Sequence, residues 1–434
     1  MQQLIWNQLD KKDKSKALER PTAISDPTIT NTVRDILQAV LEEGDAALSR
    51  FTSKFDGVTP TQLKVPETEL QAAWQTLPAL DQAALRQAKT NIEKFHKVQY
   101  PEPIVQKIMP GLVCRREARA IDSVGLYVPG GSAPLVSTVL MLAIPAKIAG
   151  VARRVLVTPP TKTDGIDLRI LAAAYLCGIT EVFQVGGAQA IAALAYGTTS
   201  VPKVAKIFGP GNAWVAAAKS LVSAVAGGPA IDLPAGPSEV LVLADSQADP
   251  SFVAADLLSQ AEHDPLSQVI CVCDSERFAD QLQIEITAQL ATLPRQKIAA
   301  AALQNGRILI TEDRNQMIEI ANSYAPEHLI VQLENPSQIV PDIRNAGSIF
   351  LGPWTPESVG DYASGTNHTL PTFGAARAYS GVCVESFMKY VSIQELTRDG
   401  LAALGPVVQR LATMEGLEAH KRAISVRLAP ETIS

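Results

Sequence analysis

Four of the five histidines in this 434-residue chain fall after residue 260, and each has carboxylates or an amide close by in sequence. Gln260-Ala261-Glu262-His263-Asp264 closes an amphipathic run in which Gln260 and His263, three apart, share one helix face. Glu327 and His328 are adjacent in Tyr324-Ala325-Pro326-Glu327-His328-Leu329, just ahead of an apolar run that reads as a strand. Asp361 and His368 share the segment 360–368, read as a loop, and Glu415 and His420 lie close to the end. Imidazole nitrogens together with carboxylate oxygens suit a borderline metal such as zinc, and a catalytic site leaves one coordination position open for substrate. A histidine titrates near neutrality and suits general-base work, with the neighbouring glutamate as a second proton-transfer group. These residues predict a metal-dependent catalytic site, and spacing alone does not separate ligands from bases. The absence of H-E-x-x-H removes the main support for a zinc peptidase. A zinc hydrolase without nicotinamide chemistry, and a non-catalytic two-domain binding protein, stand as alternatives. His96, at the edge of an amphipathic run carrying Leu85, Ala88, Ile92 and Phe95, reads as structural.

Four glycine-rich segments follow strand-like runs. They are Pro129-Gly130-Gly131, Val185-Gly186-Gly187-Ala188-Gln189, Phe208-Gly209-Pro210-Gly211-Asn212 and Leu233-Pro234-Ala235-Gly236-Pro237-Ser238. Glycine lets a ligand approach the backbone, and the helix that follows offers its N-terminus to an anion. Four in succession predict a ligand cleft at the end of an open α/β sheet. None is a full G-x-G-x-x-G, and Trp214 stands where a third glycine would allow close packing, so the motif by itself is a weak dinucleotide signal.

The elements that must position these residues read as α/β. Up to about residue 110 the apolar spacing is helical, with Ser25-Asp26-Pro27 as a start signal, Ile29, Val33, Ile36 and Val40 on one face, and Gly44 as punctuation. Strands are predicted at 124–128, 154–158, 181–185 and 206–208, then at 239–243, 268–273, 307–310, 329–331 and 348–351, with helices between them. Two such runs predict two doubly wound domains facing a cleft. The last ~55 residues read as a helical tail, too small for its own core, that must pack on the body or on a neighbouring subunit.

Composition bounds the rest. At 47% apolar and 19% charged residues the chain is an ordinary globular protein. A formal net charge of −6 and no basic cluster argue against nucleic acid or an acidic membrane surface as partner. The first eight residues carry no apolar core of signal-peptide length, and the apolar stretch 135–148 is interrupted by Pro145 and Lys147, so it reads as a buried helix. The five cysteines, odd in number and scattered, read as reduced core thiols in a cytoplasmic protein, with Cys271 and Cys273 expected on opposite faces of their strand.

Taken together, VGLYVPGGSAP, VGGAQAIAALAYGT, IFGPGNAW, DLPAGPSE, LLSQAEHDP, YAPEHL and GDYASGTNH run in the order and spacing of the bacterial L-histidinol dehydrogenases, from about Pro21 to the last helix. The resemblance implies oxidation of L-histidinol to L-histidine through the aldehyde, in two successive NAD-dependent steps with one Zn2+ per subunit. It implies that Gln260, His263, Asp361 and His420 are the zinc ligands, and that the metal anchors a substrate whose imidazole and amine are good donors. It implies that His328 accepts the alcohol proton and that Glu327 activates the water that attacks the aldehyde. Ser238, His368 and Glu415 match substrate contacts, beside Gln260, His263, His328, Asp361 and His420, while Tyr127, Gln189 and Asn212 match the cofactor site. The resemblance further implies a homodimer in which the tail brings Glu415 and His420 to the neighbouring site. The domain organisation expected on this basis is a helical region at 1–118 packed with the second α/β domain, a first Rossmann-like domain at 119–237 on the cofactor side, a second at 238–378 with the zinc and catalytic residues, and a helical tail at 379–434 at the dimer contact.

Overall fold

The computed structural model describes residues 1–21, 27–130, 134–162, 165–233 and 236–429. Ser25 and Asp26 of the helix start signal, Gly131 of the first glycine loop, and Pro234 and Ala235 of the fourth lie outside the described residues.

Two six-stranded sheets form the body. In the first, β2 (Lys64–Val65), β7 (Glu181–Gln184), β6 (Arg153–Thr158), β5 (Ser123–Tyr127), β8 (Lys206–Phe208) and β9 (Ala230–Ile231) lie side by side in that order, parallel except for β2 at the edge. In the second, β1 (Gln2–Ile5), β12 (Arg307–Ile310), β11 (Gln268–Cys273), β10 (Glu239–Ala244), β13 (His328–Gln332) and β14 (Ser348–Leu351) are parallel throughout. In each sheet the chain winds outward from a central strand and then reverses to its other side. The switch falls between β5 and β8 in one and between β10 and β13 in the other, so the predicted pair of doubly wound sheets is present. The strands of the second sheet read as apolar runs because both faces are covered. Val240 and Val242 belong to one core cluster, and Leu241 and Leu243 to the other.

The helices Val136–Ile148 and Gly187–Tyr196, on the first sheet, are apolar on nearly every side. A helix of that kind needs a further layer over it. Here that layer is the N-terminal region: helix Pro27–Glu43 packs on Gly187–Tyr196 and Ala213–Ser223, Glu67–Thr76 on Leu168–Cys177, and Ala79–Lys97 on Val136–Ile148. Val33, Ile36 and Val40 share a core with Ile191, Leu194 and Val215. The region was expected to pack with the second α/β domain; its first stretch joins that domain's sheet through β1, and Asn91 donates to the Ala363 carbonyl. The helices between 27 and 97 cover the first sheet.

The chain divides into a large unit, Met1–Gln99 with Ile121–Phe387, and a small one, Tyr100–Ala120 with Met388–Ser434. The small unit is built on β3 (Ile104–Met109), β4 (Leu112–Ala120) and β15 (Met388–Leu396), antiparallel in the order β15-β4-β3, followed by the helices Arg398–Met414 and Glu418–Leu428 packed on each other. Helix was expected through residue 110 and across the whole tail. Strand pairing overrides it, because β4 and β15 supply each other's backbone partners over nine residues apiece although they lie far apart in sequence. Cys271 and Cys273 fall in the same core cluster, on one face of β11, since side chains two apart on a strand share a face. All five thiols are free. Among the described residues no helix is long and apolar enough to cross a membrane.

Candidate active site

The chemistry-bearing residues gather at the amino ends of β10 and β13, where Glu239 acts as the hub. Its N–H donates to Glu327 Oε2 at 2.9 Å, its carbonyl lies 3.1 Å from His328 Nδ1, and the same carbonyl accepts from Gln260 Nε2 at 3.3 Å. Its own carboxylate is held by Arg20 in two hydrogen bonds of 2.6 and 2.9 Å and by Phe373 N–H at 2.7 Å. Arg20 stacks on the Tyr324 ring at 3.9 Å and donates to the Tyr324 carbonyl. A bidentate guanidinium satisfies a buried carboxylate that would otherwise be costly.

Local backbone explains why Glu327 and His328 arrive together. Helix Arg314–Tyr324 stops at Ala325, which takes φ +54 and returns its N–H to the Ala321 carbonyl. Pro326 then forbids further helix, and β13 starts two residues later, at His328. Gly347 lets the next strand come close, because a Cβ there would sit 2.5 Å from the Glu327 carbonyl.

The side chains form one buried polar cluster. Gln260, at the end of helix Pro250–Ala261, is 1% exposed, His328 3% and Glu327 7%, which places them in the protein interior despite their polarity. His328 Nδ1 lies 3.6 Å from Glu327 Oε2, and Nε2 lies 3.4 Å from Asp361 Oδ1. Burial pushes the Glu327 carboxyl up to about 8. Burial opposes charge on His328, but Glu327, Asp361 and Glu357 outweigh it and push the ring up to about 10. Asp361 feels three imidazoles, those of His328, His368 and His263, and overall they lower its pKa against the effect of burial. His263 sits at an exposed position beside them. His368 has both ring nitrogens engaged, Nδ1 at 2.8 Å from the Asp361 carbonyl and Nε2 at 3.1 Å from Thr138 Oγ1. Thr138 belongs to helix Val136–Ile148 of the first sheet, so His368 joins the two sheets. Ser238 immediately precedes Glu239 at the same edge and is part-exposed.

Glu239, Arg20, Glu357 and Thr138 were not singled out by sequence. Two of them carried a signal. Glu239 is a charge opening a run of five apolar residues, and Glu357 and Asp361 are like charges four apart on the short helix Glu357–Tyr362. Glu357 is buried, accepts from Ser259 Oγ at 2.9 Å, leaves Oε2 without a hydrogen-bond partner among the described residues, and is pushed by burial up to about 8. Arg20 and Thr138 reach the site only through tertiary folding.

The second group lies at the carboxyl end of the first sheet. Tyr127, the last residue of β5, is buried and accepts from Gly187 N–H at 3.3 Å, and burial pushes its phenol up to about 12. Gln189 is 1% exposed, with Oε1 buried and, among the described residues, without a hydrogen-bond partner. Asn212 caps helix Ala213–Ser223, its Oδ1 accepting from Trp214 and Val215 N–H. Gly209 is required between them, with φ +123 and a would-be Cβ only 2.0 Å from the Tyr127 carbonyl. A buried ion pair pins this loop: Lys219 Nζ lies 2.5 Å from Asp232 Oδ1 and 2.9 Å from the Gly209 carbonyl, while Asp232 Oδ2 accepts from Gly209 N–H.

Glu415 and His420 belong to the small unit, where both are exposed. Among the described residues no three His, Cys, Asp or Glu side chains form a ready-made metal cage. What the large unit does hold is an incomplete donor set: a buried Gln260 Oε1 with no hydrogen-bond partner among the described residues, His328 Nε2 facing Asp361 Oδ1 at 3.4 Å, and the Asp361 carboxylate among imidazoles. A cation would satisfy such atoms.

A histidinol dehydrogenase family model matches residues 19–428. The chain belongs to the histidinol dehydrogenase family. It is 53% identical over 428 residues to the histidinol dehydrogenase of Vibrio parahaemolyticus, covering 99% of this chain and 98% of that one, and equally identical over the same span to that of Vibrio cholerae. The crystal structure of histidinol dehydrogenase from Elizabethkingia anophelis superposes with a TM-score of 0.94 at 45% identity, covering 99% of this chain and 98% of that one. As a member of the histidinol dehydrogenase family this chain is an oxidoreductase, which sets aside the hydrolase and the non-catalytic binder.

Proposed function

We propose that the chain oxidises L-histidinol to L-histidine through the aldehyde in two successive NAD-dependent steps, the last of histidine biosynthesis. The observation that carries this reading is one continuous connection. The Glu327–His328–Asp361 cluster at one sheet meets the glycine-loop edge of the other through His368 and Thr138. Gln260, His263 and Asp361, completed by His420, would hold the zinc. When bound, zinc contributes a Lewis-acidic anchor for the substrate, and NAD takes up the hydride of each step.

The chain's own residues handle the protons. His328 accepts the alcohol proton as the carbinol C–H bond gives up its hydride, leaving the aldehyde. Glu327 takes a proton from water as that water adds to the aldehyde carbon, and the hydrate then loses the second hydride and its remaining acidic proton, which passes to solvent, to leave the carboxylate. A carboxyl pushed up to about 8 is suited to the second role, because it exchanges a proton close to neutral pH. Burial of both groups keeps bulk water from the reactive aldehyde. Ser238, His368 and Glu415 would line the substrate pocket, and Tyr127, Gln189 and Asn212 the cofactor cradle. Since Asn212 Oδ1 already caps a helix, its amide N–H2 is the part free to face NAD.

Exposed Glu415 and His420 on the small unit support a homodimer in which each tail completes the other protomer's site. Five free thiols support a reducing, cytoplasmic setting. The test is absorbance at the NADH band after mixing purified protein, L-histidinol, NAD and zinc. About two NADH per substrate consumed are expected from the two hydride transfers, and none at all would overturn the reading.

A further inference from the structure

Asp56 is the last residue of helix Asp45–Asp56, which packs on Gly187–Tyr196. A carboxylate is poorly placed there on its own account. The C-terminal carbonyls of a helix carry partial negative charge and disfavour an anion. Oδ2 is wholly buried and, among the described residues, has no hydrogen-bond partner. Burial accordingly pushes the carboxyl up to about 6, which still leaves it mostly ionised at neutral pH. Costs of this kind in a native structure point to a donor that arrives from outside.

The surroundings say which donor. Asp56 is near enough to Tyr127 for its charge to act on the phenol, and that phenol receives the Gly187 N–H at the turn after β7. Two residues on, Gln189 presents a second buried acceptor, Oε1, likewise without a hydrogen-bond partner among the described residues. Two unsatisfied acceptors near one phenol, at the carboxyl edge of the first sheet, offer partners to hydroxyl groups. They lie toward β7, on the side of the β5–β8 switch away from β8 and β9. A dinucleotide laid across a switch point places its two nucleosides on opposite sides of it.

We propose that Asp56 accepts the hydroxyls of the adenosine ribose of NAD and thereby disfavours the 2′-phosphorylated dinucleotide. The assignment rests on the nicotinamide-dependent reading above. A carboxylate in this position gains two charge-assisted hydrogen bonds from a vicinal diol. Against a 2′-phosphate it sets like charges within a partly buried site.

The test is titration calorimetry of NAD and of NADP against the purified protein without histidinol, for wild type, Asp56→Ala and the near-isosteric Asp56→Asn. Loss of hydrogen bonds to a charged group should raise the Kd for NAD about tenfold or more. The Kd for NADP should stay level or fall, so that the preference narrows. The thermal midpoint should hold or rise, because a buried charge has been removed. Wild-type affinities retained in both variants, or NAD and NADP weakened by the same factor, overturn the role of Asp56 alone. A wild-type protein that shows no NAD binding overturns the nicotinamide reading itself, and the Asp56 assignment with it.

Discussion

His328 works inside a ring of acids, with Glu327 and Asp361 at 3.6 and 3.4 Å and Glu357 acting through space. Their combined pull exceeds the penalty of burying a charged ring and raises the affinity of the imidazole for a proton. A base must be neutral before it can accept a proton, and positive charge gathered at Gln260 and Asp361 is what would release it. His328→Asn removes the titratable nitrogen and keeps a polar side chain of related shape. Turnover is expected to fall about 10²- to 10⁴-fold, the usual weight of general acid–base catalysis, while the protein remains folded by circular dichroism. A kcat equal to wild type would take His328 out of the proton transfer. Much of this residue-level site was legible in the sequence. Gln260-x-x-His263, Glu327-His328 and Asp361…His368 are the segments that converge. Arg20 was not legible, because nothing near it in sequence shows that it will clamp Glu239 across more than two hundred residues.

At the scale of elements the two sheets use opposite edges. The glycine loops surround the carboxyl ends of the first sheet, where open α/β sheets usually bind ligands. The acid–imidazole cluster instead occupies the amino ends of β10 and β13, because the Ala325 turn and the carboxyl end of helix Pro250–Ala261 both deliver polar side chains there. The glycine loop 208–212 keeps its shape through the Lys219–Asp232 pair, whose side chains are 3% and 1% exposed. Breaking a buried pair on one side strands the other charge, at a cost of about 3–5 kcal/mol, whereas replacing both with apolar groups of similar size is often neutral. Lys219→Met is therefore expected to lose about that much stability in urea unfolding, and Lys219→Met with Asp232→Leu to recover most of it. An undiminished single variant would show that the pair does not hold the loop.

For the whole molecule, the small unit carries apolar side chains that its own fold leaves open, among them Ile104, Val105 and Ile108 of β3 and Leu411 and Met414 of helix Arg398–Met414. Surfaces of this kind mark protein contacts, which agrees with the proposed homodimer. If each tail serves the other protomer, His328→Asn and His420→Asn impair different halves of one composite site. Mixed by co-refolding, a hybrid dimer would carry one doubly altered site and one wholly native site. Each variant alone is expected to be nearly inactive, and the mixture to regain about a quarter of wild-type activity, since half the dimers are hybrid and half their sites native. No recovery on mixing would mean that each tail serves its own chain.

Periodicity and glycine placement by themselves determined the doubly wound α/β architecture, since buried parallel strands must read as apolar runs and their helices as 3.6-residue patterns. The motif segments determined the family, and with it the residues on which the chemistry is proposed to rest. Only the tertiary structure decided that the helices between 27 and 97 cover the first sheet, that β4 and β15 pair across some 270 residues, and that Glu239, Arg20, Glu357 and Thr138 join the histidine–carboxylate cluster. Those outcomes depend on which apolar faces and which unpaired backbone groups find each other in space, and no local pattern records that. The histidines could be recognised as candidates for chemistry from their neighbours in sequence, but Asp361 and Glu357, which act on His328 together with the adjacent Glu327, are its neighbours only in the fold.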